Sequence, residues 1–352
     1  MKLATYKDGS RDGQLVVVSR DLGLAHFATG TATRLQQVLD DWNFLSPQLQ
    51  DLYVTLNQGR ARHAFSFEPR QCMAPLPRAY QWAVGQAYPS HLARLGPDHS
   101  ADVAADLASD AAGTPAAGPA DSLLRQGSSD HFLGPCDDVW FGSTACSIDF
   151  EAGLAVITGD VAMGASPDQA LDGIRLLMLS NDWTLRNRVP AELAQGPGLN
   201  HSKPATAFSP VAVTPDELGP AWRGGRVHLA LQSALNGKPL GACDAGPEMV
   251  FHFGQLIAHL AKTRNVRAGS VVGSGTVSNA DAAKGWHCIA EKRATETAGS
   301  GAPQTPYLVS GDAVQIKMTG PDGLSVFGTI EQRVAGPLDP AAPLTGADPE
   351  AV

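Results

Sequence analysis

Short apolar segments separated by tight turns fill the first 30 residues of the chain. KLATY, QLVVVS and LAHFA alternate with the turn-forming sequences KDGSRDG and RDLG. Turns this short connect neighbouring antiparallel strands. A helix is predicted next, with Ser46 as its N-cap, Pro47 at its first position and Gly59 just past its end. We therefore expect a small β-rich N-terminal domain over residues 1–78.

Hairpin and helix signals continue beyond this domain. SIDFEAGLAVITG is predicted as a strand, and Ser166-Pro167-Asp168-Gln169 as a capping box that opens a helix to about Met178. Asn236-Gly237 predicts a tight hairpin turn inside VHLALQSALNGKPLG. FHFGQLIAHLAKTR has helical apolar spacing, and SGDAVQIKMTGPDGLSVFGTIEQRV is predicted as a final hairpin.

Together these elements predict an α+β fold that is mostly β, with mixed, mainly antiparallel sheets and flanking helices. The chain lacks β-α-β-α alternation and a G-x-G-x-x-G motif after a strand, which argues against a Rossmann domain. We expect a second domain over residues 79–340 and a tail over 341–352. Residues 96–121 have no aromatic residue and no Lys or Arg, which predicts a flexible acidic insertion.

Composition and charge exclude several classes of protein. The 352 residues carry a net charge of -9 without a Lys/Arg cluster, which argues against nucleic-acid or anionic-membrane partners. Five scattered cysteines without a C-x-x-C pair favour reduced thiols over disulfides or a zinc site. Without an apolar leader or a membrane-spanning stretch, the chain is predicted to be cytoplasmic.

The segment SIDFEAGLAV at 147–156 places acids among apolar residues. If it forms one strand, Asp149, Glu151 and Gly153 share a face. Because buried unpaired charge is costly, two carboxylates in such a row need partners or a function.

Three further segments carry polar residues that are candidates for chemistry. Asp182 in LSNDWTLRN is typical of a cap and is also a candidate metal ligand. Lys203 in HSKPATAFSP is, by itself, typical of a solvated surface. Glu291 in GWHCIAEKR, which follows the glycine-rich GSGTVSN, is a candidate for a simple salt bridge with Lys292 or Arg293.

These segments together resemble the fumarylacetoacetate hydrolase family. The resemblance covers nearly the whole chain and is dense in DFEAGLAVITGDV, ALDGIRLLMLSNDWTLRN, SKPATAFSPVAVTPDELG, VRAGSVVGSGTVSN and GWHCIAEKR. It implies an N-terminal β-domain, a C-terminal mixed β-sandwich roll with the active site, and a homodimer. It also implies Mg²⁺, Mn²⁺ or Ca²⁺ on four carboxylates, chelating a β-diketone or acylpyruvate whose C–C bond is cleaved by water that a His–Glu pair activates.

The resemblance assigns roles to individual residues. The matched catalytic residues are His91, its partner Glu291, and Lys203, which stabilises the reacting oxygens and protonates the leaving carbanion. Thr276 matches a threonine that contacts the substrate carboxylate. Glu151 and Asp182 match metal ligands, whereas Asp149 matches an acid that the family does not use as a ligand and is predicted to cap or pair structurally.

Four positions depart from the family pattern. Val84 and Gly153 replace two acidic metal ligands, so the predicted metal site is incomplete. Arg125 replaces an aromatic residue and His201 a glutamine, and both are candidate substrate-binding residues whose positive charge would take over part of the metal's role. Trp183 is a further candidate for the pocket, with core packing as the alternative.

Three functions remain open at this point. The first is a C–C hydrolase acting on a β-dicarbonyl or acylpyruvate-type keto substrate, with weak or substrate-assisted metal binding. The second is a metal-independent proton-transfer enzyme, such as an isomerase or tautomerase, a decarboxylase or a cyclase. The third is a non-catalytic family member that binds a small molecule or pairs with an active paralogue. Each predicts a small-molecule keto or dicarbonyl ligand and a homodimer.

Overall fold

The structure is a computed structural model that describes residues 1–95, 124–143, 146–195 and 198–336. The predicted acidic insertion at 96–121 and the tail at 341–352 lie outside the described residues. No described helix has the length and apolar character needed to cross a membrane.

The N-terminal segment forms the predicted antiparallel strands. They are β1 (Lys2–Tyr6), β2 (Gln14–Val18) and β3 (Leu24–Phe27), extended by the short β4 (Phe65–Ser66). Helices α1 (Leu35–Asp40) and α2 (Trp42–Asn57) follow β3 in the sequence.

The predicted start of α2 is wrong. The helix begins at Trp42 rather than after Ser46, so Pro47 lies inside it. Trp42, Leu45 and Leu49 continue a helical apolar stripe across the proline and pack on one core cluster. Burial of this stripe outweighs the loss of the one backbone hydrogen bond that Pro47 cannot make. The predicted end is confirmed, since Gly59 has φ +67° just past the helix.

The rest of the described chain adds fifteen strands and five helices. The strands are β5 (Trp82–Gly85), β6 (Leu124–Gly127), β7 (Ile148–Asp149), β8 (Ala152–Thr158), β9 (Ile174–Asp182), β10 (Thr184–Leu185), β11 (Thr206–Phe208), β12 (Ala212–Val213), β13 (Trp222–Arg223), β14 (Arg226–Val227), β15 (Ala230–Leu235), β16 (Lys238–Asp244), β17 (Val271–Thr276), β18 (Ala313–Thr319) and β19 (Ser325–Arg333). The helices are α3 (Pro89–Leu95), α4 (Pro167–Leu171), α5 (Val189–Gln195), α6 (Phe253–Leu260) and α7 (Ile289–Ser300).

One large sheet runs through both halves of the chain. Its order is β4-β3-β2-β1-β12-β9-β8-β17-β5-β6, with β11 also paired to β9. The β1–β12 pairing, with Lys2 opposite Val213, joins the N-terminal strands to the C-terminal ones. A second sheet has the order β16-β15-β18-β19. This arrangement confirms the predicted α+β, mostly β fold.

The two predicted hairpins are also confirmed. Asn236 and Gly237 have φ values of +50° and +74° and connect β15 to β16. Strands β18 and β19 form the final hairpin. The capping box at Ser166 and Gln169 forms as predicted, but α4 ends at Leu171 instead of Met178. The following IRLLMLS is buried on both faces as β9, because a continuous apolar run fits a strand covered on both sides.

SIDFEAGLAV does not form one strand. β7 ends at Asp149 and β8 begins at Ala152, with Phe150 and Glu151 between them. The Asp149 carboxylate accepts the N–H groups of Phe150, Ile289 and Ala290 at 2.9, 2.6 and 2.9 Å. Asp149 therefore binds the N-terminus of α7, as its predicted structural role implies.

We predict that Asp149→Ala lowers the free energy of unfolding by about 3 kcal/mol, because it leaves Arg186 and two helix N–H groups buried without their acceptor. Urea unfolding measures the loss. Asp281→Ala is the matched control, since Asp281 accepts only the Ala283 N–H at an exposed turn and its loss is expected to cost about 1 kcal/mol or less. Equal losses for the two variants would contradict the role of Asp149.

Candidate active site

A histidine and a glutamate that are 200 residues apart in sequence meet where α3 packs against α7. The His91 Nδ1 lies 3.0 Å from Glu291 Oε1. Glu291 stands in the first turn of α7 and is completely buried, whereas His91 is partly exposed. The structure thus brings together the pair that the sequence resemblance indicated.

The environment of Glu291 keeps it ionised. Burial alone would raise the pKa of this carboxyl, but the contacts with His91 and Arg94 outweigh burial and lower the pKa. Because an ionised carboxylate only accepts hydrogen bonds, the Nδ1 of neutral His91 carries the proton and donates it to Glu291. The His91 Nε2 is then the basic nitrogen of the pair.

Arg94 fixes the geometry of this pair, and the sequence reasoning missed it. Its guanidinium donates to Ser278 Oγ at 2.8 Å and to the carbonyls of Asn279 and Ala280 at 2.6 and 3.0 Å. It also lies 3.7 Å from Glu291 Oε1. The signal was present, since Arg94 follows His91 by three residues and therefore shares its side of a helix.

A second cluster is centred on the Lys203 ammonium. Its Nζ lies 2.8 Å from Glu151 Oε2 and 2.9 Å from Asp182 Oδ2, and it donates to Thr184 Oγ1 at 2.7 Å. Two carboxylates and a hydroxyl thus surround the ammonium within 2.9 Å. Lys203 is buried and is not the surface lysine that its local sequence alone would suggest.

Arg186 links the second cluster to the start of α7. Its Nε lies 2.8 Å from Asp149 Oδ2 and its Nη2 lies 2.8 Å from Glu151 Oε1. Burial alone would raise the pKa of Glu151, but the charges of Lys203 and Arg186 hold it well below its usual value. Both Glu151 and Arg186 are therefore charged in the folded protein. Sequence reasoning overlooked Arg186, although an arginine inside an otherwise buried segment is itself a signal of a paired charge.

A small cavity of about 80 Å³ that opens to solvent lies between the two clusters. Five of the residues proposed from the sequence line it: His91, Lys203, Thr276, Arg125 and Glu151. Five apolar side chains also contribute to the lining: Leu92, Leu95, Val189, Leu193 and Leu199. The pocket therefore combines charged groups with an apolar wall, as ligand sites for small organic molecules do.

Profiles of one protein family match almost the whole chain. The profile described as fumarylacetoacetate (FAA) hydrolase C-terminal matches residues 81–335, and that of fumarylacetoacetase N-terminal domain 2 matches residues 1–78. The chain belongs to the fumarylacetoacetate hydrolase family.

Individual relatives of this family member include hydrolases and isomerases. The 2,4-didehydro-3-deoxy-L-rhamnonate hydrolase of Sphingomonas sp. (strain SKA58) is 24% identical over 220 residues, which are 62% of this chain and 66% of that protein. The chain thus spans slightly less than two thirds of that relative's length.

Solved structures of this fold include both kinds of enzyme. Maleylpyruvate hydrolase from Sphingobium sp. SYK-6, in complex with manganese (II) ion and pyruvate, has a TM-score of 0.62 at 14% identity and covers 96% of this chain and 100% of its own. The 5-carboxymethyl-2-hydroxymuconate delta-isomerase from Mycobacterium smegmatis has a TM-score of 0.57 at 14% identity, with 96% and 99% covered. At these identities the likeness shows the fold.

The carboxylates of this family member do not fit a divalent metal. Each of the four oxygens of Glu151 and Asp182 already has a protein partner within 3.3 Å: hydroxyls of Thr184, Thr276 and Thr206 donate hydrogen bonds, and Arg186 and Lys203 form ion pairs. The cluster contains three carboxylates (Asp149, Glu151 and Asp182) and two cations (Arg186 and Lys203), so its net charge is -1. Adding a divalent ion would change the net charge of this buried cluster to +1.

The two positions that lack a metal ligand differ in their surroundings. Val84 is buried and lies opposite Arg125 on the neighbouring strand. At Gly153, a Cβ atom would lie only 2.6 Å from the Gly275 carbonyl oxygen and 3.1 Å from Ser180 Oγ. A side chain at 153 thus collides with backbone.

Another group of potential ligands is also unsuited to a metal. His, Cys, Asp and Glu side chains are the potential metal ligands. Among the described residues, one group of three such side chains has its ligand atoms close enough together to share an ion: His91, Cys288 and Glu291. Burial raises the pKa of the Cys288 thiol well above its usual value, so the sulfur stays protonated.

Three predicted site residues lie outside the pocket lining. Asp182 does not line the pocket itself but lies 2.9 Å from Lys203, which does. Trp183 is completely buried, donates to Gln332 Oε1 at 3.0 Å, and is a core residue rather than a substrate contact. The His201 side chain is 82% exposed, with its Nδ1 3.8 Å from Glu192 Oε1, and does not line the pocket.

Near Glu291 lies a completely buried histidine, His287, that the sequence did not reveal as special. The ring of His287 contacts Ser233 Oγ at 2.8 Å through Nδ1 and the Cys243 N–H at 3.3 Å through Nε2. Burial lowers its pKa from 6.5 to about 4. His287 is therefore neutral in the folded protein at neutral pH.

We predict that the protein loses about 3 kcal/mol of stability between pH 6.5 and pH 4 through His287 alone. In this interval the unfolded histidine binds a proton and the folded one does not, so stability is complete above pH 6.5 and falls as the pH falls. Urea unfolding at several pH values measures the slope. His287→Gln should flatten it, whereas the exposed His201→Gln should not; identical slopes for wild type and His287→Gln would refute the prediction.

Proposed function

We propose that this protein hydrolyses a C–C bond in a keto acid of the acylpyruvate type, with His91 as the general base. The observation that carries the proposal is the hydrogen bond of His91 Nδ1 to the buried, ionised Glu291 at the edge of a pocket that holds Arg125. A base oriented in this way is suited to removing a proton from water.

In the proposed reaction the His91 Nε2 takes a proton from water while the water oxygen adds to the acyl carbonyl. The C–C bond between the acyl carbon and the neighbouring methylene then breaks. Its electron pair remains on the keto-acid fragment as an enolate, and the His91 imidazolium returns the proton to carbon. The products are a carboxylic acid and the shortened keto acid, so the single water accounts for every atom.

Arg125 is the proposed partner of the substrate carboxylate. Its Nε is buried and has no hydrogen-bond acceptor among the described residues, while the guanidinium lies close enough to Glu151 to lower that group's pKa. A guanidinium offers two parallel N–H groups to a carboxylate. The apolar part of the lining would then receive the acyl chain.

A metal-independent isomerase or tautomerase is the second candidate. Such a reaction moves a proton between carbon and oxygen and needs the His91–Glu291 pair but no added water. The pairing of Lys203 with two carboxylates and a threonine favours this candidate, because Glu151 and Asp182 already balance the charge with which Lys203 would stabilise a cleaved enolate. A purely ligand-binding protein is less well supported, since a buried ionised glutamate beside a histidine is costly without a use.

Removal of the base tests the first candidate. We predict that His91→Ala lowers kcat/KM for acylpyruvates by about 10²–10⁴-fold. Pyruvate release in a coupled assay measures hydrolysis, and the ultraviolet absorbance of the enol measures tautomerisation in the same sample. His201→Ala is the control histidine and should leave the rate unchanged. Pyruvate release that survives in His91→Ala would overturn the proposal, and enol conversion without pyruvate would establish the second candidate.

Arg125 allows an independent test of the substrate class. We predict that Arg125→Leu raises KM for a free keto acid by about tenfold or more but leaves KM for its methyl ester unchanged, since the lost contact is worth about 1.5–3 kcal/mol. Arg125→Lys retains the charge and should show a smaller increase. Equal effects on the acid and the ester would show that Arg125 does not bind the carboxylate.

A further inference from the structure

The family implies a divalent ion at a position where this chain has a positive charge of its own. Lys203 Nζ stands between Glu151 and Asp182, the two acidic residues that match metal ligands, at 2.8 and 2.9 Å. Its third contact, Thr184 Oγ1 at 2.7 Å, completes the coordination of the ammonium. The ammonium thus uses the oxygens that a metal would need.

No oxygen of these two carboxylates remains for another cation. Glu151 Oε1 faces Arg186 and Thr184, and Oε2 faces Lys203 and Thr276. Mg²⁺ and Ca²⁺ require six or more oxygen ligands, so an entering ion would have to displace several of these donors. Displacing Lys203 would leave a buried ammonium without its counter-charges, which is strongly unfavourable.

Position 153, where the family has a glutamate ligand, has no room for any side chain. At Gly153, strand β8 approaches β17 so closely that a Cβ atom would lie 2.6 Å from the Gly275 carbonyl oxygen. Gly275 has φ +79°, and a Cβ there would collide with the Gly85 carbonyl on β5. Strands β8, β17 and β5 therefore approach one another closely at glycines. Because the colliding atoms belong to the backbone, they cannot move aside for a side chain as a flexible side chain could.

From these contacts we infer that Lys203, which matches a lysine that the family has beside its metal, here takes the place of the divalent ion itself, and that this chain works without a metal at Glu151 and Asp182. The inference concerns ion binding and holds for either reaction proposed above. It also assigns Gly153 a role in keeping the site closed to a third carboxylate.

Mn²⁺ binding tests the inference without any substrate. We predict that the metal-stripped full-length protein shows no stoichiometric Mn²⁺ binding by electron paramagnetic resonance at concentrations up to about 1 mM. Lys203→Met keeps the bulk of the side chain but frees two carboxylates, and should bind Mn²⁺ at least about tenfold more tightly than wild type. Lys284→Met, at a half-exposed lysine paired with Asp244, is the control and should behave as wild type.

Each outcome separates this inference from the proposed reaction. Stoichiometric Mn²⁺ binding by wild type below 1 mM would overturn it, as would a folded Lys203→Met that binds no better than wild type. Should Lys203→Met fail to fold, Mn²⁺ titrations of wild type and of Gly153→Glu test the inference instead. Gly153→Glu is expected to gain no Mn²⁺ binding while Lys203 is present, and a gain would contradict the closed site. Loss of turnover in any variant bears on the reaction and not on this inference.

Discussion

The hydrogen bonds that the Asp149 carboxylate accepts support both the His91–Glu291 pair and the cluster around Lys203. One carboxylate binds the first N–H groups of α7 and the guanidinium of Arg186. The first set of bonds fixes where α7 begins and so where Glu291 stands relative to His91. The second holds Arg186 against Glu151. A residue with no direct part in the chemistry therefore sets the distance between the base and the charged cluster.

The two clusters differ in how their charges are used. In the first, Glu291 is ionised and has one unpaired oxygen, and the His91 ring faces the pocket. In the second, carboxylates and cations satisfy one another almost completely. Such a self-neutralised cluster is rigid, because any movement of one charge leaves its partner buried and unpaired. Proton movement is accordingly expected at the first cluster, while the second provides a fixed electrostatic environment.

Much of the fold was predictable because its signals are local. The Asn236-Gly237 turn and the Ser166 capping box each depend on a few adjacent residues, and both form. The failures concern contacts between distant residues. SIDFEAGLAV alternates like a strand, but bonds from Asp149 to Ile289 and Ala290, 140 and 141 residues away, interrupt it. His201 was assigned from the resemblance, and its side chain is exposed outside the pocket lining. Trp183 was a candidate for the pocket or the core, and its indole is buried and donates to Gln332.

In the site, too, some features could be predicted from the sequence and others depend on contacts between distant residues. The pairing of His91 with Glu291 was expected from the resemblance, and Val84 and Gly153 identified the missing ligands. That Lys203 would lie between the two remaining acids and Thr184 could not be derived from the sequence, since the geometry of two strands and two loops decides it. The collision at Gly153 is equally a property of packing, because it depends on the position of Gly275, which lies on another strand and far away in the sequence.

The shared sheet also has a consequence for the two halves of the chain. Residues 1–78 match one domain profile and residues 81–335 another, yet β1 forms backbone hydrogen bonds with β12 in the middle of a continuous sheet. Dividing the chain between residues 78 and 81 would leave β1 and β12 as unpaired strand edges. Both strands are buried in the whole protein, and each exposed edge could pair with another molecule. The two halves should therefore melt in a single cooperative transition, and neither half is expected to be a soluble protein when expressed alone.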